Sequence, residues 1–335
     1  MRWAARIAAA GLCAAALGGC RGWQSALDPQ GPQARTLADL IWIFTAVCTV
    51  VYVLVVLALL IALARRHYRI DPLQVHERSE RRIGAVIAVA TAATFLTVIA
   101  LTLISYLAQR KLYASQPSAI TIRVTGNQWW WDVRYEDPRP DRAFTTANEI
   151  HVPVGLPVKL KLEASDVIHS FWVPNLAGKM DLIPGWTNEL QFTASNPGVY
   201  RGQCAEFCGV QHAHMALLVV AHPPAEFAAW REAQIKPALP PTEPERIRGQ
   251  QAFLSNSCVM CHTVRGTPAG GRVGPDLTHV ASRRYIASGM LETSRGNLGA
   301  WIADPQGIKP GTNMPTPKLG SEDLTGIIDY LAGLR

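Results

Sequence analysis

Two long apolar stretches dominate the first third of the chain. Residues 40–64 and 83–108 contain no Asp, Glu, Lys or Arg, and each exceeds the roughly 20 residues that a helix needs to cross a bilayer. Buried helices of a large soluble protein are the alternative, which this length disfavours. The pattern therefore predicts a transmembrane hairpin within residues 37–109, with helices at about 40–64 and 83–108.

Beyond residue 109 the pattern changes to short alternating runs. Apolar and polar residues alternate in 120–124, 158–162 and 190–192, and residues 215–220 form a last apolar run. Proline and glycine separate these runs. Short strands bounded by such turns predict a β-sandwich over residues 117–235.

Prolines dominate the next segment, residues 236–245, which predicts a semi-rigid linker. Residues 246–335 then form a separate domain. Its last segment places Leu324, Ile328 and Leu331 on one helical face, behind Ser321 as the expected N-cap.

The N-terminus has the pattern of an export signal. Arg2 and Arg6 precede an apolar run that ends in Leu-Gly-Gly-Cys at Cys20. This predicts a signal peptide over residues 1–19. The ending resembles a bacterial lipobox, which would make Cys20 a lipidated N-terminus; an ordinary signal peptide is the alternative.

The formal charge of +7 does not indicate nucleic-acid binding. The excess lies mostly in the signal region and in the arginine-rich connector 65–82, so no basic stripe is left for a phosphate backbone. The positive-inside rule places this connector in the cytoplasm. The N-terminus and everything after residue 109 would then lie on the periplasmic or outer side of a bacterial inner membrane.

A cluster of metal-binding residue types lies near the end of the predicted sandwich. Residues 204–215 contain two cysteines, two histidines and a methionine. Thiolates and imidazoles suit copper or zinc, and the thioether favours copper. On spacing alone, a zinc site or a disulfide beside a surface histidine remains open.

The C-terminal domain carries a second motif, Cys258-Val-Met-Cys261-His262. The spacing C-x-x-C-H is typical of covalent c-type haem attachment, with His262 as the proximal iron ligand. A redox pair or half of a zinc site is the alternative, but export favours haem.

The stretch from about residue 37 to 233 resembles subunit II of cytochrome c oxidase. The resemblance rests on the segments 128–131 (Gln-Trp-Trp-Trp), 166–174, 178–185 and 204–215. With the haem motif added, the chain is similar to subunit II of a caa3-type haem-copper oxidase, which carries a fused cytochrome c. The resemblance implies a multidomain membrane protein: a two-helix transmembrane hairpin, a cupredoxin-like β-sandwich and an all-α class I cytochrome c domain.

The resemblance also implies site residues. The ligands of a dinuclear copper centre (CuA) would be His169, Cys204, Glu206 through its carbonyl oxygen, Cys208, His212 and Met215. The Glu206 side chain would reach a magnesium ion at the boundary with subunit I. Trp129 resembles the tryptophan through which electrons arrive from cytochrome c, with a core aromatic as the alternative. Four further histidines match no ligand and are expected to face solvent: His151, His214, His222 and His279.

For the haem, the resemblance implies that the carbonyl of Pro275 accepts the N–H of His262. Met314 would be the distal axial ligand, with Met290 as its rival. Such His/Met ligation suits electron transfer. Glu80 aligns with an acidic residue at the mouth of a proton pathway, with an ordinary loop glutamate as the alternative.

Taken together, the resemblance implies subunit II of a proton-pumping cytochrome c oxidase. Electrons would pass from a cytochrome c or bc1-type complex to the chain's own haem c, then to CuA, then to subunit I (haem a/a3–CuB type), where oxygen is reduced to water. A nitrous-oxide-reducing enzyme would need a large catalytic domain instead of the hairpin. A copper-binding assembly factor would need no haem motif, and a quinol oxidase subunit would lack the copper ligands.

Overall fold

A computed structural model of the chain describes residues 22–65, 77–114 and 117–335. The chain divides into two compact units. The first unit is Arg35–Ala114. The second unit combines the residues before Arg35 with those after Ala114. The predicted signal peptide 1–19 and Cys20 lie outside the described residues.

The first unit consists of two long helices, α1 (Pro32–Arg65), whose first turn belongs to the second unit, and α2 (Glu77–Leu112). Both are long and apolar enough to cross a membrane. They extend past the predicted bounds, because backbone hydrogen bonds continue through polar residues such as Lys111. Glu80 lies near the start of α2, exposed, and not in a loop.

The second unit begins its globular part with ten strands. They are β1 (Ile120–Asn127), β2 (Trp130–Glu136), β3 (Phe144–Ala147), β4 (Glu149–Pro153), β5 (Val158–Ala164), β6 (His169–Trp172), β7 (Met180–Leu182), β8 (Asn188–Phe192), β9 (Gly198–Cys204) and β10 (Ala216–His222). One sheet has the order β3-β2-β1-β5-β8 and the other β4-β10-β9-β6-β7. They form the predicted β-sandwich.

The alternating pattern explains why these segments pair as they do. In β5, Val158, Leu160 and Leu162 are fully buried, whereas the lysines between them are not. Successive side chains of a strand point to opposite faces, so each strand buries one face in the core. Trp131 and Phe171 meet edge to face in that core, with ring centroids 6.1 Å apart.

A helix that the sequence pattern did not predict, α3 (Pro224–Ile235), follows the sandwich. The proline-rich linker after it is fastened to the C-terminal domain: Ala238 N donates to the carbonyl of Arg265 (2.9 Å), and Arg265 donates to the carbonyls of Gln234 (2.6 Å) and Ile235 (3.0 Å).

The C-terminal domain is helical, as predicted, with one added two-stranded hairpin. Its elements are α4 (Pro244–Ser255), α5 (Cys258–Cys261), β11 (Tyr285–Ile286), β12 (Leu291–Glu292), α6 (Arg295–Ala303), α7 (Pro305–Ile308) and α8 (Ser321–Ala332). Helices α4 and α8 cross closely because Gly249 faces Gly326. The predicted N-cap is shifted by one residue: Gly320 is the cap and Ser321 is the first residue of α8.

The C-terminal domain lies directly against the sandwich. Ala216 N donates to the carbonyl of Ser288 (3.0 Å), and Ser288 Oγ donates to the carbonyl of Ala216 (2.9 Å). Arg284 N donates to the Glu149 carboxylate at 2.9 Å. The two domains therefore share a hydrogen-bonded interface in addition to their linker.

Candidate functional site

The sandwich brings the cysteine and histidine residues together at one end. His169 begins β6 and Cys204 ends β9, and these strands pair so that Phe171 lies opposite Cys204. The ligand loop, which we define as residues 204–215, then runs from β9 to β10. Met215 lies immediately before β10 and is fully buried.

The donor atoms of this loop form a compact cluster. The two sulfur atoms of Cys204 and Cys208 are 3.7 Å apart. His169 Nδ1 lies 3.9 Å from Cys204 Sγ, and His212 Nδ1 lies 3.6 Å from Cys208 Sγ. Each thiol thus has its own imidazole neighbour, and His169, Cys204 and Cys208 together could hold a metal ion.

Two further donors complete the set. Met215 Sδ lies 3.9 Å from Cys208 Sγ, and the carbonyl oxygen of Glu206 lies 3.2 Å from Cys204 Sγ. Thiolate, imidazole and thioether together suit copper better than zinc or magnesium. The residues present therefore fit copper at this site.

The two thiols ionise as a pair. Their mutual hydrogen bond lowers the pKa of Cys204 far below its usual range and raises the pKa of Cys208, because the two sulfur atoms share one proton. Thiolates, not thiols, bind metals. One ligand is therefore ready as thiolate, and metal binding displaces the remaining proton.

His169 is oriented from behind by a residue that the sequence analysis did not assign. Its Nε2 lies 2.8 Å from Asp166 Oδ1, which leaves Nδ1 facing Cys204. Burial alone would lower the pKa of His169, but the hydrogen bonds with Cys204 and Asp166 raise it. A carboxylate behind a histidine ligand fixes the ring and makes it a stronger ligand.

Trp129 bridges the ligand loop and the C-terminal domain. Its Nε1 donates to the carbonyl of Cys208 at 2.9 Å, and Gln128 Nε2 donates to the same oxygen at 2.7 Å. The Trp129 side chain is only 8% exposed. On its other side lies Gly311, where a Cβ atom would be 3.9 Å from the ring.

The haem-attachment motif lies in α5 and the residue after it. His262 Nδ1 lies 2.8 Å from the carbonyl oxygen of Pro275, the expected contact. The ring passes so close to Gly274 that a Cβ there would lie 2.7 Å from its Cε1. Burial lowers the pKa of His262, which keeps the ring neutral and its Nε2 free to bind iron. Cys258 and Cys261 are half-buried beside it, so these residues fit a covalently bound haem.

Met314 lies in a loop held by Gln306, whose Nε2 donates to the carbonyls of Thr312 (2.7 Å) and Met314 (2.8 Å). Met290 follows Gly289, which approaches Ala216 of the sandwich. Both methionines are half-buried. Exposure therefore does not separate the predicted axial ligand from its rival.

The expectation that the remaining histidines face solvent is wrong for two of them and holds for His214, which is exposed. His151 is buried. The ring of Trp230 in α3 stacks on its ring with centroids 4.0 Å apart, and its Nδ1 lies 2.7 Å from His222 Nε2. His279 is also buried, and its Nε2 lies 3.0 Å from the carbonyl of Lys236. The ring of His151 thus packs against α3, and that of His279 contacts the linker.

Comparison with known proteins matches both globular domains. Residues 138–222 match the family model of the cytochrome c oxidase subunit II periplasmic domain, and residues 247–335 match that of cytochrome c. Cytochrome c oxidase subunit 2 of Alkalihalophilus pseudofirmus is 38% identical over 327 residues, covering 95% of this chain and 94% of the relative.

Two further matches cover a smaller share of this chain. Cytochrome c oxidase subunit 2 of Bacillus subtilis is 32% identical over 229 residues, covering 65% of this chain and 63% of the relative. The crystal structure of the periplasmic domain of subunit II of cytochrome oxidase from Bradyrhizobium japonicum matches with a TM-score of 0.33 and 34% identity, over 36% of this chain and 95% of that chain.

Proposed function

We propose that this chain, which belongs to the cytochrome c oxidase subunit 2 family, carries electrons from a haem c on its own C-terminal domain to a dinuclear CuA centre and on to subunit I. Members of this family are subunits of an oxidoreductase complex, and the two matched domains imply copper and haem binding. The observation that carries the proposal is the hydrogen bond from Asn313 Nδ2 to the carbonyl of Gln128 (3.1 Å), which seats the loop of Met314 beside the ligand loop.

The proposed copper ligands act as a rigid cage. Cys204, Cys208, His169 and His212 would hold the copper, with Met215 Sδ and the Glu206 carbonyl as weaker donors. When bound, the copper pair supplies one-electron redox chemistry. Burial of both thiols and the Asp166 contact hold the ligands in place before metal arrives, which limits rearrangement during electron transfer.

On the C-terminal domain, Cys258 and Cys261 would hold the haem covalently, and His262, oriented by the carbonyl of Pro275, would bind its iron. Met314 is the proposed second axial ligand. With His262 and Met314 both as ligands, the haem would serve electron transfer and would not bind oxygen. Oxygen reduction therefore falls to subunit I in this proposal.

The remaining proposals concern the surroundings. The Glu206 side chain would hold magnesium at the boundary with subunit I, and Cys20 would carry a lipid. The donor would be a cytochrome c or a bc1-type complex. The chain would lie in a bacterial cell membrane with its N-terminus and both globular domains on the periplasmic side, since the arginine-rich connector favours the cytoplasm.

The test is cofactor analysis of this subunit in the purified complex. We expect copper in twofold excess over covalent haem, and release of both coppers when His169 and His212 are replaced together. Replacing the exposed His214 is the matched control, and it should leave the copper content unchanged. A single copper on this subunit, or the lack of covalently bound haem on it, would refute the relay.

A further inference from the structure

A five-residue segment of the C-terminal domain, residues 309–313, lies on the ligand loop of the sandwich. Gln211 Nε2 donates to the carbonyl of Pro310 at 2.7 Å, and Asn313 Nδ2 reaches the carbonyl of Gln128 at 3.1 Å. Between them Gly311 adopts a left-handed backbone (φ +83°), and a Cβ there would lie only 3.2 Å from Val210 Cγ2. The segment therefore follows the ligand loop at close backbone approach.

Lys309 begins this segment and is buried, with 2% of its surface exposed. Its ammonium group donates to the carbonyl of Trp129 at 2.7 Å and to that of His214 at 2.8 Å, both on the sandwich. A third, longer bond of 3.3 Å reaches the carbonyl of Ala287 in its own domain. An ammonium group carries three donors, so all of them are used.

The placement of a buried charge here is costly unless its hydrogen bonds are made. Burial lowers the pKa of Lys309 to about 7. Hydrogen bonds from the ammonium group to carbonyl acceptors favour the charged form. Two of these acceptors belong to the other domain. The bonds of Lys309 are therefore complete only when the C-terminal domain is seated on the sandwich.

The segment also connects rigidly to the proposed haem ligand. Gln306 holds the carbonyls of Thr312 and Met314, and its Oε1 accepts a hydrogen bond from Gly311 N at 3.0 Å. A shift at Lys309 would thus move the loop of Met314 as a unit. At the other end, the acceptor Trp129 is itself bonded to the carbonyl of Cys208.

We propose that Lys309 is a positioning residue that locks the C-terminal domain onto the ligand loop and so sets the separation between the haem and copper centres. The proposal rests on the relay proposed above. Lys309 acts through the carbonyls of Trp129 and His214 and touches neither centre. With this lock in place, electron transfer does not wait for the tethered domain to find its partner.

If Lys309 only filled space, the experiment would give a different result. Methionine has nearly the length and volume of the lysine stem, so Lys309→Met fills the same space. It would leave the carbonyls of Trp129 and His214 without their buried donor, an effect that favours separation of the domains. Packing alone predicts no effect on electron transfer.

The test uses the intact oxidase complex carrying Lys309→Met, with Lys318→Met as the matched control because Lys318 is exposed on the same domain. A flash reduces the haem, and the absorption bands of haem and copper are followed in time. We expect transfer between the centres to be about tenfold slower in Lys309→Met, equivalent to about 1.4 kcal/mol in activation free energy, and to slow further when glycerol raises the viscosity. The control should match the wild type, and an unchanged, viscosity-independent rate in Lys309→Met overturns the proposal.

A second variant separates positioning from charge. Lys309→Arg keeps the charge, but a planar guanidinium does not reproduce the compact three-donor geometry. We expect slow, viscosity-dependent transfer with unchanged reduction potentials of both centres. A wild-type rate in this variant means that only the charge matters, and the positioning role is then wrong.

If Lys309→Met does not assemble, the Lys309→Arg variant carries the test alone, with the outcomes given above. Failure of the proposed function is distinguishable from either result, because it appears in the wild type as missing copper or missing covalent haem.

Discussion

Replacement of Trp129 by phenylalanine tests the contact between the two proposed centres most directly. The indole Nε1 donates to the carbonyl of Cys208, whose sulfur is a proposed bridging ligand, and the ring lies between the ligand loop and Gly311. Phenylalanine keeps an aromatic ring but has no N–H. The variant therefore removes one hydrogen bond between the tryptophan and the ligand loop.

The structural cost of this change is limited. The lost hydrogen bond is worth about 1 kcal/mol, and the Cys208 carbonyl keeps its bond from Gln128 Nε2 at 2.7 Å, so it is not left unpaired. The smaller ring gives up roughly 40 Å² of buried surface, or about 1 kcal/mol at 25 cal/mol per Å². A total of about 2 kcal/mol should leave the domain folded and its copper bound.

The same change should slow electron transfer. Transfer from haem to copper, followed by flash photoreduction, should slow by about tenfold or more, the equivalent of about 1.4 kcal/mol in activation free energy. Trp186→Phe is the control, because Trp186 is 65% exposed on the same sandwich. A Trp129→Phe enzyme with full copper and haem content and an unchanged transfer rate would refute the proposed contribution of Trp129.

The remaining predictions concern the axial ligand, the copper bridge and the half-buried carboxylate of Asp132. Met314→Leu should abolish the low-spin His/Met spectrum of the haem and lower its potential; loss of that spectrum in Met290→Leu instead would transfer the assignment to Met290. Cys208→Ser should lose the mixed-valence electron paramagnetic resonance signal of CuA, and a retained signal would exclude a bridging thiolate there. Burial raises the pKa of Asp132 to about 6, so the folded state binds more protons between about pH 4 and 6 and stability falls as the pH rises through that window. Asp132→Asn should remove this fall, so its free energy of unfolding should exceed that of the wild type by up to about 3 kcal/mol at pH 7. The thermal midpoints of the two proteins should be equal near pH 4. Parallel curves of thermal midpoint against pH would contradict this.

The sequence alone predicted what lies within contiguous motifs. The ligand loop and the haem motif each group their residues within about a dozen consecutive positions. Spacing and residue type therefore indicate a metal site and a haem site, whereas the copper ligand set, with the distant His169, depended on the resemblance to the oxidase family. The long apolar helices and the alternating strands follow from periodicity in the same way. Their bounds moved only where polar residues continued a helix past its apolar stretch.

What the sequence did not predict depends on contacts between distant segments. Nothing in the local sequence around Lys309 distinguishes it from a surface lysine, and only docking of the two domains buries it. His151 was expected in solvent because α3, whose Trp230 covers it, was not predicted. Asp166 had a usable signal, since a carboxylate three residues before a predicted ligand can hydrogen-bond the other ring nitrogen.

The ligand loop is covered unevenly, and this bears on how the protein acquires its metal. Residues 309–313 cover the part next to Trp129, but Phe207 remains 76% exposed and His212 half-exposed. Before subunit I covers the neighbouring Glu206, a copper donor protein can therefore approach His212 while the C-terminal domain is already docked. Haem attachment and copper delivery would then proceed in either order during biogenesis, since neither blocks the approach used by the other.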